Sequence, residues 1–185
     1  GVHIGNFSVT SDTSLGPKEI TGSLNITTNN RTLTVTGTIY VRGNIDISGN
    51  GSTIQCSPSY GAGSCVIVAD GWIHSVNNVI FRGSGQGESY IMLLTTLAGC
   101  NGSGGTGCTH HDSAIDLHNN ALGAIFYASN SQVNLHNGVN ASELVAYKLV
   151  LDNNAIITYE SGLVNAQFQG GPGAAWKVNE WKEVE

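Results

Sequence analysis

The sequence is poor in basic residues and has no long apolar run, and both absences exclude classes of protein. Lys and Arg together number seven, against thirteen Asp and Glu, which gives a net charge of −6. A nucleic-acid-binding protein needs a basic surface to neutralise phosphates, so we exclude that class. The longest apolar run, IMLL at 91–94, is far shorter than the ~20 residues of a membrane-spanning helix. The sequence therefore predicts neither a nucleic-acid partner nor a membrane span in this chain.

The chain also starts without a secretory leader or an initiator Met, so we expect a processed protein or an excised piece of a larger one. Charged residues make up only 11 % of the sequence, whereas Gly alone numbers 25. A polar surface that is mostly neutral is typical of an extracellular all-β protein. The length of 185 residues is sufficient for one domain with a sizeable core.

The four Cys lack the CxxC spacing of a metal site and form two close pairs instead. Cys56 and Cys65 bracket one Gly/Ser-rich loop, and Cys100 and Cys108 bracket another. This arrangement predicts two local disulfides that staple loops, and hence an oxidising compartment. Four reduced thiols in the core are the alternative.

A short phrase of alternating apolar and polar residues, followed by an Asn-rich turn, occurs six times. The copies begin at Leu24, Ile45, Ile73, Ile115, Val133 and Leu149. Strand periodicity without helical segments between the copies indicates a solenoid of stacked β rungs. We therefore predict an all-β, single-domain parallel β-helix of about six rungs, with three short strands in each rung and insertions at the corners. A β-sandwich is the alternative, but its hairpins would not give one phrase at near-regular spacing.

Strand alternation assigns the aliphatic residues of the phrase to the interior. The expected inward residues are Leu24, Ile26, Ile45, Ile47, Ile115, Leu117, Val133, Leu135, Leu149 and Leu151. The segments between the phrases add Val35, Ile39, Val41, Ile67, Ile91, Leu93, Ile125, Leu144 and Ile156. The turn residues Asn30, Asn50, Asn78, Asn120, Asn137 and Asn154 are expected to stack as a ladder, because Asn tolerates left-handed backbone angles and its amide can bond to copies above and below.

The repeat divides the chain into three parts. Residues 1–23 are expected to form an N-terminal strand, a cap or an exchanged segment, residues 24–162 the β-helix, and residues 163–185 a C-terminal cap or tail. Trp176, Val178 and Trp181 are the candidates to cover the last rung. The alternative is that either tail pairs with a neighbouring molecule, because the ends of a solenoid expose unpaired backbone groups.

One outward column of the phrase carries the candidate chemistry. His118 and His136 are expected on neighbouring rungs, with Asp116 and Asp152 close by, and such a group could bind Zn or Cu. The same residues could instead form a pH-sensitive face or an ordinary solvated polar surface. Apart from this divalent metal, the sequence predicts no cofactor. The sequence His110-His111-Asp112, after the second Cys loop, is interpreted as a polar loop.

Enzymatic function is not expected. Polysaccharide lyases and hydrolases on β-helices need clustered carboxylates, and lyases also need a basic residue near the substrate. Four of the seven basic residues here are scattered near corners: Arg31, Arg42, Arg82 and Lys148. Single aromatic residues leave a glycan-binding or polysaccharide-degrading β-helix as the alternative, although corner packing also explains them. These aromatic residues are Tyr60, Trp72, Tyr90 and Tyr127.

Several phrases resemble a known group of domains. They are GTIYVRGNIDISGNG (37–51), CVIVADGWI (65–73), GSGQGESYIMLLTT (83–96), YKLVLDNNAIITYESGL (147–163) and GPGAAWKVNEWKEVE (171–185). They resemble the right-handed β-helix domains of bacterial type IV pilin-like surface proteins, which are broadly related to pectate-lyase-type β-helices. The resemblance implies a non-enzymatic structural or adhesive domain on the bacterial cell surface. Its expected partners are further copies of itself in filaments or oligomers, other pilus subunits, or glycans; the hydrophobic N-terminal anchoring helix of that group has no counterpart in this sequence.

Overall fold

The structure, a computed structural model, describes residues 1–103, 107–109, 112–158 and 168. Its regular elements are almost all strands, and one turn of 3-10 helix (Pro58–Tyr60) lies in the first Cys loop. In chain order the strands are β1 (Val2–His3), β2 (Phe7–Ser8), β3 (Thr13–Leu15), β4 (Lys18–Ile20), β5 (Leu24–Ile26), β6 (Thr32–Val35), β7 (Ile39–Val41), β8 (Ile45–Ile47), β9 (Thr53–Cys56), β10 (Cys65–Ala69), β11 (Ile73–Ser75), β12 (Ile80–Arg82), β13 (Ile91–Thr95), β14 (Ile115–Leu117), β15 (Ile125–Leu135), β16 (Asn140–Ala141), β17 (Glu143–Leu151) and β18 (Ile156–Ile157). Among these described residues no helix has the length and apolarity to cross a membrane.

The strands stack in parallel on three faces. The first face contains β1, β4, β7, β10, β13 and the first halves of β15 and β17. The second face contains β2, β5, β8, β11, β14 and the second halves of β15 and β17. The third face contains β3, β6, β9 and β12, and bridges through Leu122 continue it to β16 and β18. The described part of the chain therefore forms a parallel β-solenoid of seven rungs, and the predicted fold class is confirmed.

The rung beyond the six copies of the phrase comes from the N-terminal segment. Within residues 1–23, Phe7 pairs with Leu24 and Ser8 with Asn25, so this segment adds a rung within its own chain. The turn of this rung has no Asn; the Asp12 carboxylate accepts the Thr32 amide there at 3.0 Å. Because this turn lacks Asn, the phrase does not extend to the N-terminal rung.

The C-terminal expectations fall on residues outside the described part of the chain. Trp176, Val178 and Trp181, and almost all of 163–185, belong to this group. Phe168 is described, and it forms an isolated parallel bridge with Ser64, which lies within the first Cys loop. The role of the tail as a cap or a pairing segment therefore stays a prediction.

Alternation of the strands builds one aliphatic core, as predicted. Of the expected inward residues, fifteen have a relative exposure of 2 % or less: Leu24, Ile26, Val35, Ile39, Val41, Ile45, Ile47, Ile67, Ile91, Leu93, Ile115, Leu117, Ile125, Val133 and Leu135. The prediction is wrong for three residues on the seventh rung: Leu149, Leu151 and Ile156 are 39 %, 48 % and 51 % exposed. Leu144, also on this rung, is only partly buried. The physical reason is position, because no described rung stacks on β17 and β18.

The Asn ladder forms at the turn between the second and third faces. The Asn78 side-chain amide donates to Asn50 Oδ1 at 3.0 Å, and Asn120 donates to Asn78 Oδ1 at 3.1 Å. Both Asn78 and Asn120 have left-handed backbone angles, with φ of 60° and 61°. Asn50 and Asn137 are displaced by one position from the predicted column, because the Asn50 backbone amide donates to Asn29 Oδ1 and the Asn137 side-chain amide donates to Asn119 Oδ1. Gly138 occupies the position below Asn120, and a Cβ there would lie 2.6 Å from Asn120 Oδ1.

A column of glycines forms the corner between the first and second faces. Gly22 N donates to Gly5 O, Gly43 N to Gly22 O, and Gly71 N to Gly43 O, each at 2.9–3.0 Å. A Cβ on Gly43 would lie 2.9 Å from the Gly22 carbonyl carbon and oxygen. The backbones at this corner therefore approach too closely for a side chain.

Both predicted disulfides are present. Cys56–Cys65 spans the corner from the third face to the first, and Cys100–Cys108 lies in the connection from β13 to β14. Since both loops leave the stack at corners, the strands on either side keep their register.

A candidate histidine–aspartate site

Six polar side chains form a row across the second face. We call Asp46, His74, Asp116, His118, His136 and Asp152 the His–Asp row. Alternation turns His74 outward, because its neighbours Ile73 and Ser75 are buried on the inner side. Parallel, in-register pairing then places Asp46, His74 and Asp116 above one another. The other three residues follow the ends of β14, β15 and β17, where backbone hydrogen bonds continue the stacking.

Asp116 is the centre of the row. His118 Nε2 lies 2.9 Å from Asp116 Oδ1, and His136 Nε2 lies 3.5 Å from the same oxygen. The His118 and His136 rings stack with centroids 4.5 Å apart and an interplanar angle of 13°. His74 completes the cluster, since its ring centroid lies 6.0 Å from that of His118.

Two further carboxylates contact the Nδ1 atoms of His74 and His136. His74 Nδ1 lies 3.2 Å from Asp46 Oδ1, and His136 Nδ1 lies 3.5 Å from Asp152 Oδ2. Each contact joins adjacent rungs, and each fixes the orientation of an imidazole ring. The structure thus brings together the four residues singled out from the sequence, and it adds Asp46 and His74 to them.

The row is not the solvated surface that we considered from the sequence. The Asp116 side chain is fully buried, and His74, His118 and His136 are only 16 %, 16 % and 15 % exposed. Asp152, at the end of the row, is 53 % exposed. Outward direction in a strand does not ensure contact with water when another segment covers the strand.

The segment beside the row belongs to the connection between β13 and β14, which carries the second disulfide, and its described residues Cys108 and Thr109 lie next to His74. Ser131 Oγ donates to Leu97 O at 2.7 Å and accepts the Cys100 amide at 3.3 Å. On the other side of the loop, Thr109 and Ser113 are buried and their hydroxyls lie 2.8 Å apart. These contacts hold the loop against the fifth and sixth rungs. His110 and His111 lie outside the described residues, so their expected role as part of a polar loop stays a prediction.

A small cavity of about 90 Å³ lies between this loop and the row. Trp72, His74, Cys108 and Thr109 line it. The Trp72 ring meets the His74 ring edge to face, with centroids 6.1 Å apart. Trp72, a candidate glycan-binding aromatic in the sequence, therefore lies beside the cavity and against His74.

A shallow groove of about 480 Å³ lies elsewhere, along the SGQGES loop. Arg82, Gln86 and Tyr90 line it together with Phe81, Ile91 and several small residues. The groove thus combines a guanidinium group, an amide and an aromatic ring. Tyr60, by contrast, packs against the core.

The first face carries a separate polar network around Asp70. The Tyr40 hydroxyl lies 2.7 Å from both Asp70 oxygens, and Thr96 Oγ1 donates to Asp70 at 3.0 Å. Arg42 pairs with Glu19 at 3.0 Å and lies over the Tyr40 ring, 4.7 Å from its centroid. The hydrogen bond to Asp70 raises the pKa of Tyr40 above its usual value. These hydrogen bonds and the Arg42–Glu19 ion pair connect side chains of adjacent rungs at the surface.

A scan against protein-family models found no matching family, and searches among curated proteins and among solved structures found no match. The resemblance to pilin-like β-helix domains therefore stays a prediction from the sequence.

Proposed function

We propose that this chain is a non-enzymatic structural or adhesive domain of a pilin-like protein on the bacterial cell surface. The observation that carries the proposal is the pair of disulfides, each of which closes a loop outside a continuous parallel stack. Stable disulfides are typical of oxidising compartments, and an extracellular site agrees with them. A rigid stack that displays corner loops is suited to adhesion, because recognition residues often lie on loops held by a stable scaffold.

Surface display is tested on intact cells of the source organism. An antibody raised against the purified domain is expected to label unpermeabilised cells, and mild external protease treatment is expected to remove the label. Labelling that requires permeabilisation would contradict surface display. Depolymerisation of a polysaccharide by the purified chain would contradict the non-enzymatic part of the proposal.

Self-association is the second part of this proposal. Each described end of the solenoid exposes aliphatic side chains, namely Val2 and Ile4 at the first rung and Leu149, Leu151, Ile156 and Ile157 at the seventh. Exposed strand edges also pair readily with another copy. We expect sedimentation velocity and electron microscopy to detect oligomers or filaments that lengthen with protein concentration.

Two substitutions on the same strand of the seventh rung test this association. Leu149→Lys is expected to reduce assembly, because it places a charge among the exposed aliphatic side chains of the seventh rung. Lys148→Leu, at the neighbouring position of the same strand, changes the net charge without charging that apolar set. A protein that stays monomeric at high concentration, with or without residues 159–185, would contradict the assembly proposal.

Glycan binding in the groove of the SGQGES loop is the second candidate function. The observation that favours it is the presence of Arg82, Gln86 and Tyr90 in one open groove, since sugars are bound by polar groups beside an aromatic ring. A glycan array should then give binding that Arg82→Ala weakens and Lys18→Ala, on the second rung, leaves unchanged. Equal binding by both variants would exclude the groove as the site.

A further inference from the structure

Three side chains of the His–Asp row have the mutual distances of a metal site. Each of His74, Asp116 and His118 offers a ligand atom, and these atoms all lie within 4.8 Å of one another. In a tetrahedral Zn²⁺ site with bonds of ~2.0–2.1 Å, ligand atoms lie roughly 3.3 Å apart. The 2.9 Å contact between His118 Nε2 and Asp116 Oδ1 is close to this value. Modest movement of the side chains, with the backbone held by its ladder, would therefore admit an ion.

The burial of Asp116 gives an independent reason to expect a cation here. Its side chain is fully buried, and an ionised carboxylate away from water is costly unless a positive charge lies beside it. The imidazoles of His118 and His136 both lie against its Oδ1, at 2.9 and 3.5 Å. Imidazole and carboxylate groups are also ligands that Zn²⁺ binds readily.

The surroundings of His74 have the features of a metal-bound histidine. A ligating imidazole almost always donates its other ring N–H to a carboxylate or carbonyl, which orients the ring. Asp46 Oδ1 lies 3.2 Å from His74 Nδ1, so an ion in this cluster would be bound through Nε2. The cavity of about 90 Å³ beside His74 has room for a water molecule or another small ligand at a further coordination position.

We propose that His74, Asp116 and His118 bind a divalent transition-metal ion of the class that prefers imidazole, with Zn²⁺ as the probe of choice. Asp46 is a positioning residue that holds His74. This set differs from the one suggested by the sequence, because Asp152 is largely exposed and contacts His136 on the side away from Asp116. His136 stacks on His118 and supports that ring.

The test uses the full chain, purified without a histidine tag and treated with a chelator. Isothermal titration with Zn²⁺ is expected to show a single ion bound, and Zn²⁺ is expected to raise the Tm, because the ion binds only the folded chain. His74→Gln and His118→Gln should each abolish this binding. Asp46→Asn should weaken it about tenfold or more, as loss of an orienting carboxylate does.

Two control variants test which histidines bind the ion. His3→Gln removes a histidine of the first rung whose Nε2 lies 3.0 Å from Asn6 O, and it should leave Zn²⁺ binding unchanged. His136→Gln should retain most of the binding, since His136 is a support rather than a ligand. Loss of binding in His136→Gln together with full binding in His74→Gln would overturn the assignment in favour of the set suggested by the sequence.

A second measurement on the unmutated chain avoids dependence on variants that fail to fold. Zn²⁺ should shift the ring-nitrogen NMR signals of His74 and His118, while those of His3 stay in place. Co²⁺ should give the absorption bands of a low-symmetry site with nitrogen and oxygen ligands. No Zn²⁺ binding tighter than about 1 mM, or shifts confined to histidines other than His74 and His118, would overturn the proposal.

Discussion

Tyr40 shows how a single side chain can make stability depend on pH. Its hydroxyl is bonded to Asp70, and this bond raises the pKa of Tyr40 in the folded state. The unfolded chain loses the Tyr proton near pH ~10, before the folded chain does. The contribution of this bond is therefore fully present below that pH and is lost as pH rises through the folded pKa.

Denaturant unfolding at pH 8 to 11 tests this expectation. The stability difference between the unmodified chain and Tyr40→Phe should be constant up to pH ~10 and shrink above it. Tyr60, whose pKa burial also raises, is unchanged in both proteins and cancels in the difference. A difference that stays constant or grows with pH would contradict the assigned cause.

The contribution of an inward-pointing leucine to the free energy of unfolding depends on its rung. Leu117 is fully buried, and Leu149 is 39 % exposed, although both occupy inward positions of the same phrase. Leu117→Ala should reduce the free energy of unfolding by about 2–5 kcal/mol, because it leaves a cavity in the core. Leu149→Ala should cost about 1 kcal/mol or less. Equal losses in urea denaturation would mean that the seventh rung is covered as tightly as the fifth.

At the scale of elements, the glycine column sets how closely adjacent rungs approach. Gly43→Ala forces a methyl group to within 2.9 Å of the Gly22 backbone, so the rungs must separate or the corner must move. We expect a loss of about 1–3 kcal/mol in the free energy of unfolding, as for other overpacked sites.

Gly87 provides the matched control for this substitution. A Cβ on Gly87 meets nothing within 4 Å and its φ is not positive, so Gly87→Ala should be neutral or slightly stabilising. Thermal and denaturant unfolding of the two variants compare them directly. An unchanged free energy of unfolding in Gly43→Ala would show that the backbone at this corner can move to accommodate a methyl group at little cost.

At the scale of the whole molecule, the second disulfide is expected to contribute both to stability and to the burial of the His–Asp row. The Cys100–Cys108 bridge has a sequence separation of 8, and closing a loop of this size stabilises by about 2–3 kcal/mol through the unfolded state. The double variant Cys100→Ala/Cys108→Ala should lose roughly this amount. It should also expose the row, because Cys108 and Thr109 of this loop lie beside His74.

The matched variant Cys56→Ala/Cys65→Ala separates these two effects. Its loop, with a sequence separation of 9, should give a similar loss of stability but leave the row covered. Hydrogen exchange of the β14 amides distinguishes the variants, since faster exchange is expected only after loss of Cys100–Cys108. Equal protection in both would show that the cover does not depend on its disulfide.

The sequence predicts the stack well and the site only in part, for physical reasons. Alternation of apolar and polar residues depends on local strand geometry, so the phrase alone identified the fold and most of the core. It could not reveal the burial of Asp116, because the covering loop has no periodicity. The first rung escaped detection because its turn between Ser8 and Thr13 contains no Asn. Asn50 and Asn137 were assigned one position off because the second and fifth copies of the turn read Asn-Gly, so that their single Asn aligns with Asn29 and with Asn119.

β15 and β17 each extend over both the first and the second face, and this affects local unfolding at the last rungs. Elsewhere a corner interrupts the strands, whereas these two run through it and pair on both sides, Ile125 with Glu143 before a register shift and Leu135 with Leu151 after it. Separating the last two rungs on one face therefore strains the pairing on the other. Local opening at this end should involve both faces as one cooperative unit, whereas the first rung, made of separate two- and three-residue strands, can fray one face at a time.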